Sequence, residues 1–392
     1  MMASYLERPM NTAPPIIVIG SGLAAFTTIR EFRKIDKETP VTLITQEHGD
    51  FYSKPMLSTA FASNKEPHQL VTTSKETIAK QLQIEIMGNT FVQGIDANQQ
   101  QVVTDHGAHR YSKLILAVGA DPIRLSINGN AADQVLSVND LTDYSRFRTA
   151  INHKKRIAIL GAGLIGCEFA NDLVLGGYEV DVIDPSSQPL GRLLPEDAGT
   201  EVRSRLGAIG VRWHFGTTAQ AINQVTDGLT VTLANQSIIH TDVVLSAVGL
   251  RPRTQIANAT GIKTGRGIIV NRQMQTNIPN IYAIGDCAEV DGLVLPYVMP
   301  IMNAAKTLGT VLANQDARVT YPPMPVVVKT PAIPMVVSPP AQTDGQWIHE
   351  HIDNGMISLF KNNQGELLGF TLIGDATSQR ATLAKSLPPV LA

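Results

Sequence analysis

One pattern occurs twice in this chain, in the same order and setting. Ile16-Ile17-Val18-Ile19 is a wholly apolar run ending in Gly20-Ser21-Gly22-Leu23-Ala24-Ala25. A helix-compatible stretch follows to about Lys34, and then the apolar run Val41-Thr42-Leu43-Ile44. Downstream, Arg156-Ile157-Ala158-Ile159-Leu160 leads into Gly161-Ala162-Gly163-Leu164-Ile165-Gly166, a second helical stretch, and a run closing at Ile183-Asp184. Each copy later yields a matching strand end, Leu116-Ala117-Val118-Gly119 and Ser246-Ala247-Val248-Gly249. Strand, glycine turn, helix, strand is a βαβ unit. Continuous apolar runs suit strands buried on both faces of a parallel sheet.

The glycines carry a physical requirement. The first permits a tight turn, the second lets backbone approach a pyrophosphate, and the third packs helix against strand. The helix N-terminus then offers free N–H groups and its positive dipole end to the phosphates. Gly20, Gly22 and Ala25 fill these places in the first copy, with alanine at the third, and Gly161, Gly163 and Gly166 in the second. An acid at the end of the second strand hydrogen-bonds a ribose about 20 residues on. Asp184 fits, and its charge favours NADH over NADPH. In the first copy Thr45 and Gln46 hold the usual strand end, and Glu47, slightly late, is the candidate.

A chain of 392 residues exceeds one ordinary core, so two or three domains are expected. With 43% hydrophobic and 17% charged residues it is a folded composition. The net charge of −2 gives no overall bias toward nucleic acid or acidic lipid. No apolar run approaches the roughly 18 to 20 residues that span a bilayer. The stretch from Met1 to Pro15 lacks the apolar core of a signal peptide, and the residues before Met10 read as an extension, or Met10 as an alternative start. Two cysteines, Cys167 and Cys287, exclude a secreted disulfide framework, and a cytoplasmic location is expected.

The segment Ile278-Pro279-Asn280-Ile281-Tyr282-Ala283-Ile284-Gly285-Asp286-Cys287-Ala288 resembles the second flavin signature of the pyridine nucleotide–disulfide oxidoreductase superfamily. The resemblance implies an α/β fold with two Rossmann-like dinucleotide-binding domains, one for FAD and one for NAD, plus a small α+β C-terminal domain. The FAD domain would be discontinuous, residues 10–122 and 251–320, with the NAD domain at 123–250 and the C-terminal domain at 321–392. Gly285 would end a short strand, and Asp286 would accept from the flavin's ribityl chain. Ala117, Gly119 and Gly249 would line the cofactors. Disulfide reductases of this family carry a cysteine pair soon after the first βαβ unit or in the NAD domain. Here the first stretch reads Phe51-Tyr52-Ser53-Lys54-Pro55-Met56-Leu57-Ser58, without cysteine, so electrons must leave to an outside acceptor.

That stretch is similar to those of reductases serving small iron proteins. The likeness implies rubredoxin as partner, in alkane hydroxylation or oxygen detoxification, with ferredoxin of an oxygenase system as the alternative. An NADH-sensing flavoprotein read by a protein partner is the alternative of another class. By the same resemblance Glu168 pairs with a lysine beside the flavin, and Lys54, next to Pro55, is the expected partner. The stretch Leu295-Pro296-Tyr297-Val298-Met299-Pro300 would lead into a small-residue helix around Asn303 to Leu312 whose N-terminus points at the flavin, and Lys329 would be a second cation, or else a solvent-facing residue of an edge strand.

Overall fold

The short apolar runs form the strands that their sequence requires. The computed structural model describes residues 13–392, so Met10 and the stretch read as an extension lie outside the described residues. The chain divides into two units. The first takes the chain up to Tyr52, Thr72–Ala120 and Pro252–Val319; the second takes Ser53–Val71, Asp121–Arg251 and Thr320–Ala392.

In the first unit a five-stranded parallel sheet runs in the order Ile281–Ala283, Lys113–Leu116, Ile16–Ile19, Val41–Ile44, Glu85–Met87. Every residue of Ile16–Ile19 and Val41–Ile44 is buried, as their unbroken apolar character demands. The outermost strand comes from far downstream, so the sheet is completed only after the chain has built most of the other unit. Helix Leu23–Arg33 packs on helix Val298–Leu312. Gly309 lets them meet, since a Cβ there would lie 2.7 Å from the Glu31 Cβ and 2.8 Å from the Phe32 nitrogen. Strands Val92–Asp96, Gln101–Thr104 and Gly107–Arg110 add an antiparallel meander.

The second unit repeats the parallel arrangement with four strands, in the order Val211–Phe215, Glu179–Asp184, Arg156–Leu160, Val243–Ser246. Helix Leu164–Leu175 follows the glycine turn and is buried along most of its length. The C-terminal part of the unit is a five-stranded antiparallel sheet in the order Val326–Val328, Met335–Ser338, Leu367–Gly374, Gly355–Lys361, Gln346–Ile352. Its last hairpin turns at Asn362–Gly365, where the Asn362 side chain accepts from the Gln364 and Glu366 nitrogens. Phe360 is buried, and Trp347, half-buried, meets it edge-on at 5.3 Å. No helix among the described residues is long and apolar enough to cross a membrane.

Candidate functional site

The two glycine turns are built alike, each within its own unit. Gly20 and Gly161 hold φ of +114° and +104°, in the left-handed range. A Cβ on Gly20 would sit 2.2 Å from the Ala117 carbonyl oxygen, and one on Gly161 would sit 2.7 Å from that of Ala247. The strand ends that the sequence pairs with the turns are therefore what forbid a side chain there. Gly22 and Gly163 are the opposite case: a Cβ at either meets nothing within 4 Å. Each caps its helix without a side-chain hydrogen bond, so bare backbone and uncapped helix N–H groups face open space. That donor set suits a pyrophosphate.

The third positions differ. A Cβ on Gly166 would lie 1.9 Å from the Gly161 oxygen, whereas Ala25 fits its place fully buried. The first turn has room for a methyl group that the second lacks.

The strand-end acids also differ. Asp184 braces its turn: its carboxylate accepts from the Ala162 nitrogen at 2.6 Å and the Ser186 nitrogen at 2.7 Å. In the first copy the brace is neutral, Thr45 Oγ1 against Ser21 Oγ at 2.9 Å. Glu47 instead accepts from the Tyr52 hydroxyl at 3.0 Å. Gly119 and Gly249 both have positive φ at the strand ends, and Gly285, at φ +84°, packs against Ala24 and presents Asp286. Val298 begins its helix exposed, behind Tyr297, which gives no side-chain cap.

The second unit holds a buried charge cluster. Glu168, on the first turns of helix Leu164–Leu175, is wholly buried. Its partner is Lys329 rather than the expected Lys54. Lys329 Nζ lies 2.6 Å from Glu168 Oε2, and the Lys329 backbone nitrogen donates to Oε1 at 2.9 Å. Ser58 Oγ donates to the same Oε2 at 2.6 Å and accepts from Lys329 Nζ at 2.9 Å. The Pro55 carbonyl oxygen takes the third ammonium hydrogen. Lys329 directly follows the edge strand Val326–Val328 and turns inward onto this carboxylate, so the solvent-facing alternative does not hold. Lys54 opens the short 3-10 turn Lys54–Thr59, and its charge acts on Asp143.

Asn171 and Asp172 went unnoticed in the sequence. Asp172 Oδ2 accepts from the nitrogens of Phe61 at 2.7 Å and Ala62 at 3.4 Å, and Asn171 Oδ1 accepts from that of Ala332 at 3.2 Å. Burial raises the Asp172 pKa, opposed by the two N–H groups and the Lys329 charge. Their signal was their spacing: with Glu168 they form a polar i, i+3, i+4 set on an otherwise apolar helix. Both cysteines are buried free thiols. Burial pushes the Cys167 thiol far up and the Cys287 thiol to about 11, neither being a thiolate at neutral pH.

The family model described as pyridine nucleotide-disulphide oxidoreductase matches residues 14–307. The chain belongs to that family. A second model, described as rubredoxin binding C-terminal domain, matches residues 318–387. Among curated proteins this oxidoreductase is similar to the rubredoxin-NAD(+) reductase of Alcanivorax borkumensis, 45% identical over 96% of this chain and 99% of that one. It is also 43% identical to that of Acinetobacter baylyi, over 96% of this chain and 98% of that one. Among solved structures, a ferredoxin reductase from Rhodopseudomonas palustris superposes with a TM-score of 0.87 at 25% identity, covering 97% of this chain and 96% of that one.

Proposed function

We infer that this oxidoreductase takes electrons from NADH through FAD and passes them singly to rubredoxin. The observation that carries the reading is the near full-length similarity to two rubredoxin-NAD(+) reductases, extending through a C-terminal segment that matches the rubredoxin-binding domain. FAD, when bound, supplies acceptance of a hydride and release of electrons one at a time.

The chain's residues supply position and charge. In this reading residues 10–122 and 251–320 hold FAD, 123–250 hold NADH and 321–392 form the C-terminal domain. Gly20, Gly22 and Ala25 offer a helix N-terminus to the FAD pyrophosphate, Glu47 its ribose contact and Asp286 the ribityl contact, with Ala117, Gly119, Gly285 and Val298 beside them. Gly161, Gly163 and Gly166 do the same for NADH, with Asp184 at the ribose and Gly249 at the strand end. The Glu168–Lys329 pair, with Ser58 and Pro55, is a fixed charge array for the hydride-transfer step. The location is cytoplasmic, and the role is electron supply for alkane hydroxylation or oxygen detoxification.

Steady-state NADH oxidation by the purified, FAD-loaded protein tests the acceptor. Rubredoxin should sustain multiple turnovers at rates at least tenfold above a ferredoxin. Equal or better turnover with ferredoxin would overturn the acceptor assignment, and reduced flavin that persists with both would overturn the enzyme reading.

A further inference from the structure

Glu168, Asn171 and Asp172 share one face of helix Leu164–Leu175, with relative exposures of 0%, 0% and 4%. Their hydrogen-bond partners include groups from two segments distant in sequence, within the same unit. Asp172 holds the nitrogens of Phe61 and Ala62. These residues come just after the turn Lys54–Thr59. The Phe61 ring is seated against Tyr144 at 4.8 Å, Phe147 at 5.2 Å and Phe169 at 6.0 Å, so this point is fixed by side chain and backbone together.

What the turn delivers gives this anchor a consequence. A lysine ammonium has three hydrogens to donate. All three of Lys329 are taken, by Glu168 Oε2, Ser58 Oγ and the Pro55 oxygen. Two of those acceptors lie on the turn Lys54–Thr59. A shift of the turn therefore re-aims the ammonium even when Glu168 stays in place. Asp172 is the charged group that resists such a shift, since the Phe61 N–H makes a short charge-assisted bond to its carboxylate and the Ala62 N–H makes a longer one to the same oxygen.

We propose that Asp172 is a positioning residue for hydride transfer: by holding the Phe61 and Ala62 amides it sets the turn that presents Ser58 and Pro55 to Lys329. The proposal rests on the NADH-to-FAD reading above. It assigns Asp172 no contact with either cofactor.

The test uses the FAD-loaded protein and the variants Asp172→Ala, Asp172→Asn, Ser58→Ala and both double variants. Amide hydrogen exchange should quicken at Phe61 and Ala62 in Asp172→Ala. Stopped-flow reduction by NADH should show a limiting rate about tenfold lower in Asp172→Ala and about threefold lower in Asp172→Asn, which keeps a neutral oxygen acceptor. The NADH concentration at half-saturation should stay unchanged. In a Ser58→Ala background both losses should shrink, because one of the two turn acceptors is already gone while the Pro55 oxygen still depends on the turn. If Asp172→Ala does not fold, the asparagine pair completes the cycle. Unchanged limiting rates per bound flavin, or losses that multiply with that of Ser58→Ala, would overturn the positioning role. A wild-type flavin that NADH fails to reduce would overturn the preceding reading and the rate role together, whereas reduction that is normal in every variant overturns only the role of Asp172.

Discussion

Gly163 and Gly166 of the second turn allow binding and folding to be separated by single methyl groups. Gly163 has φ −72° and ψ −170°, a conformation alanine adopts freely, and its built Cβ touches nothing within 4 Å. Replacing it gains about 0.4–1 kcal/mol through the unfolded chain and loses a similar amount as a poorer N-cap. The stability of Gly163→Ala should therefore stay within about 0.5 kcal/mol of wild type. Its methyl group, however, fills the face over which, in the function proposed above, a phosphate approaches the backbone. Losing one charge-assisted hydrogen bond costs about 1.5–3 kcal/mol, or about ten- to hundredfold in NADH affinity. Gly166→Ala is the converse. Its Cβ would stand 1.9 Å from the Gly161 oxygen and 3.0 Å from the carbonyl carbon, so backbone must move. Overpacking of this kind costs about 1–3 kcal/mol, and the variant should melt earlier. Thermal unfolding and calorimetric NADH titration of both variants measure the two effects. Gly163→Ala binding NADH as tightly as wild type would refute the phosphate role of that face, and Gly166→Ala melting with wild type would refute the packing role of the third glycine.

Asp184→Ala should weaken NADH binding by about 1.5–3 kcal/mol and narrow the preference over NADPH, since it removes the proposed ribose acid together with the brace on Ala162. Equal use of NADH and NADPH by the wild type would contradict the assignment. Lys329→Met should destabilise the fold by about 3 kcal/mol, the low end of the cost of stranding a buried charge, because Glu168 keeps the Ser58 hydroxyl and a backbone N–H. Adding Glu168→Gln should recover most of that loss in urea unfolding; no recovery would mean that the charge is not the cause. The double variant Cys167→Ala, Cys287→Ala should retain NADH-to-acceptor activity, and dithionite titration of the wild type should consume two electrons per FAD, whereas four would mean that a disulfide takes part.

The parallel sheets were readable because their determinants are local. Four consecutive apolar residues before a glycine turn already require a strand buried on both faces, and both turns have the strand–turn–helix form expected. The charge cluster was readable only in part. Glu168 announced itself by following Gly166 and Cys167 in a family motif, but its lysine is chosen by tertiary approach. Lys54 was the nearer cation in the motif sequence; Lys329 reaches Glu168 because the edge strand Val326–Val328 ends beside helix Leu164–Leu175. Nothing in Val326-Val327-Val328-Lys329 encodes that meeting. Asn171 and Asp172 were legible in principle, as polar residues in an apolar helix, yet their partners are backbone amides, which have no residue identity to detect.

The distinction has a chemical reason. A dinucleotide turn works through backbone N–H groups, so its sequence requirement is the absence of side chains at fixed spacing, and that absence is visible in a single chain. An ammonium with all three hydrogens engaged works through convergence, and its acceptors here include a carboxylate, a hydroxyl and a proline carbonyl. A carbonyl oxygen places no demand on residue type, and a hydroxyl only a weak one. Lysine meets such a converging set as a compact charge, while the planar fork of arginine would have to spread its donors across one plane. The requirement at position 329 is therefore strict, although two of the three groups imposing it leave little trace in the sequence.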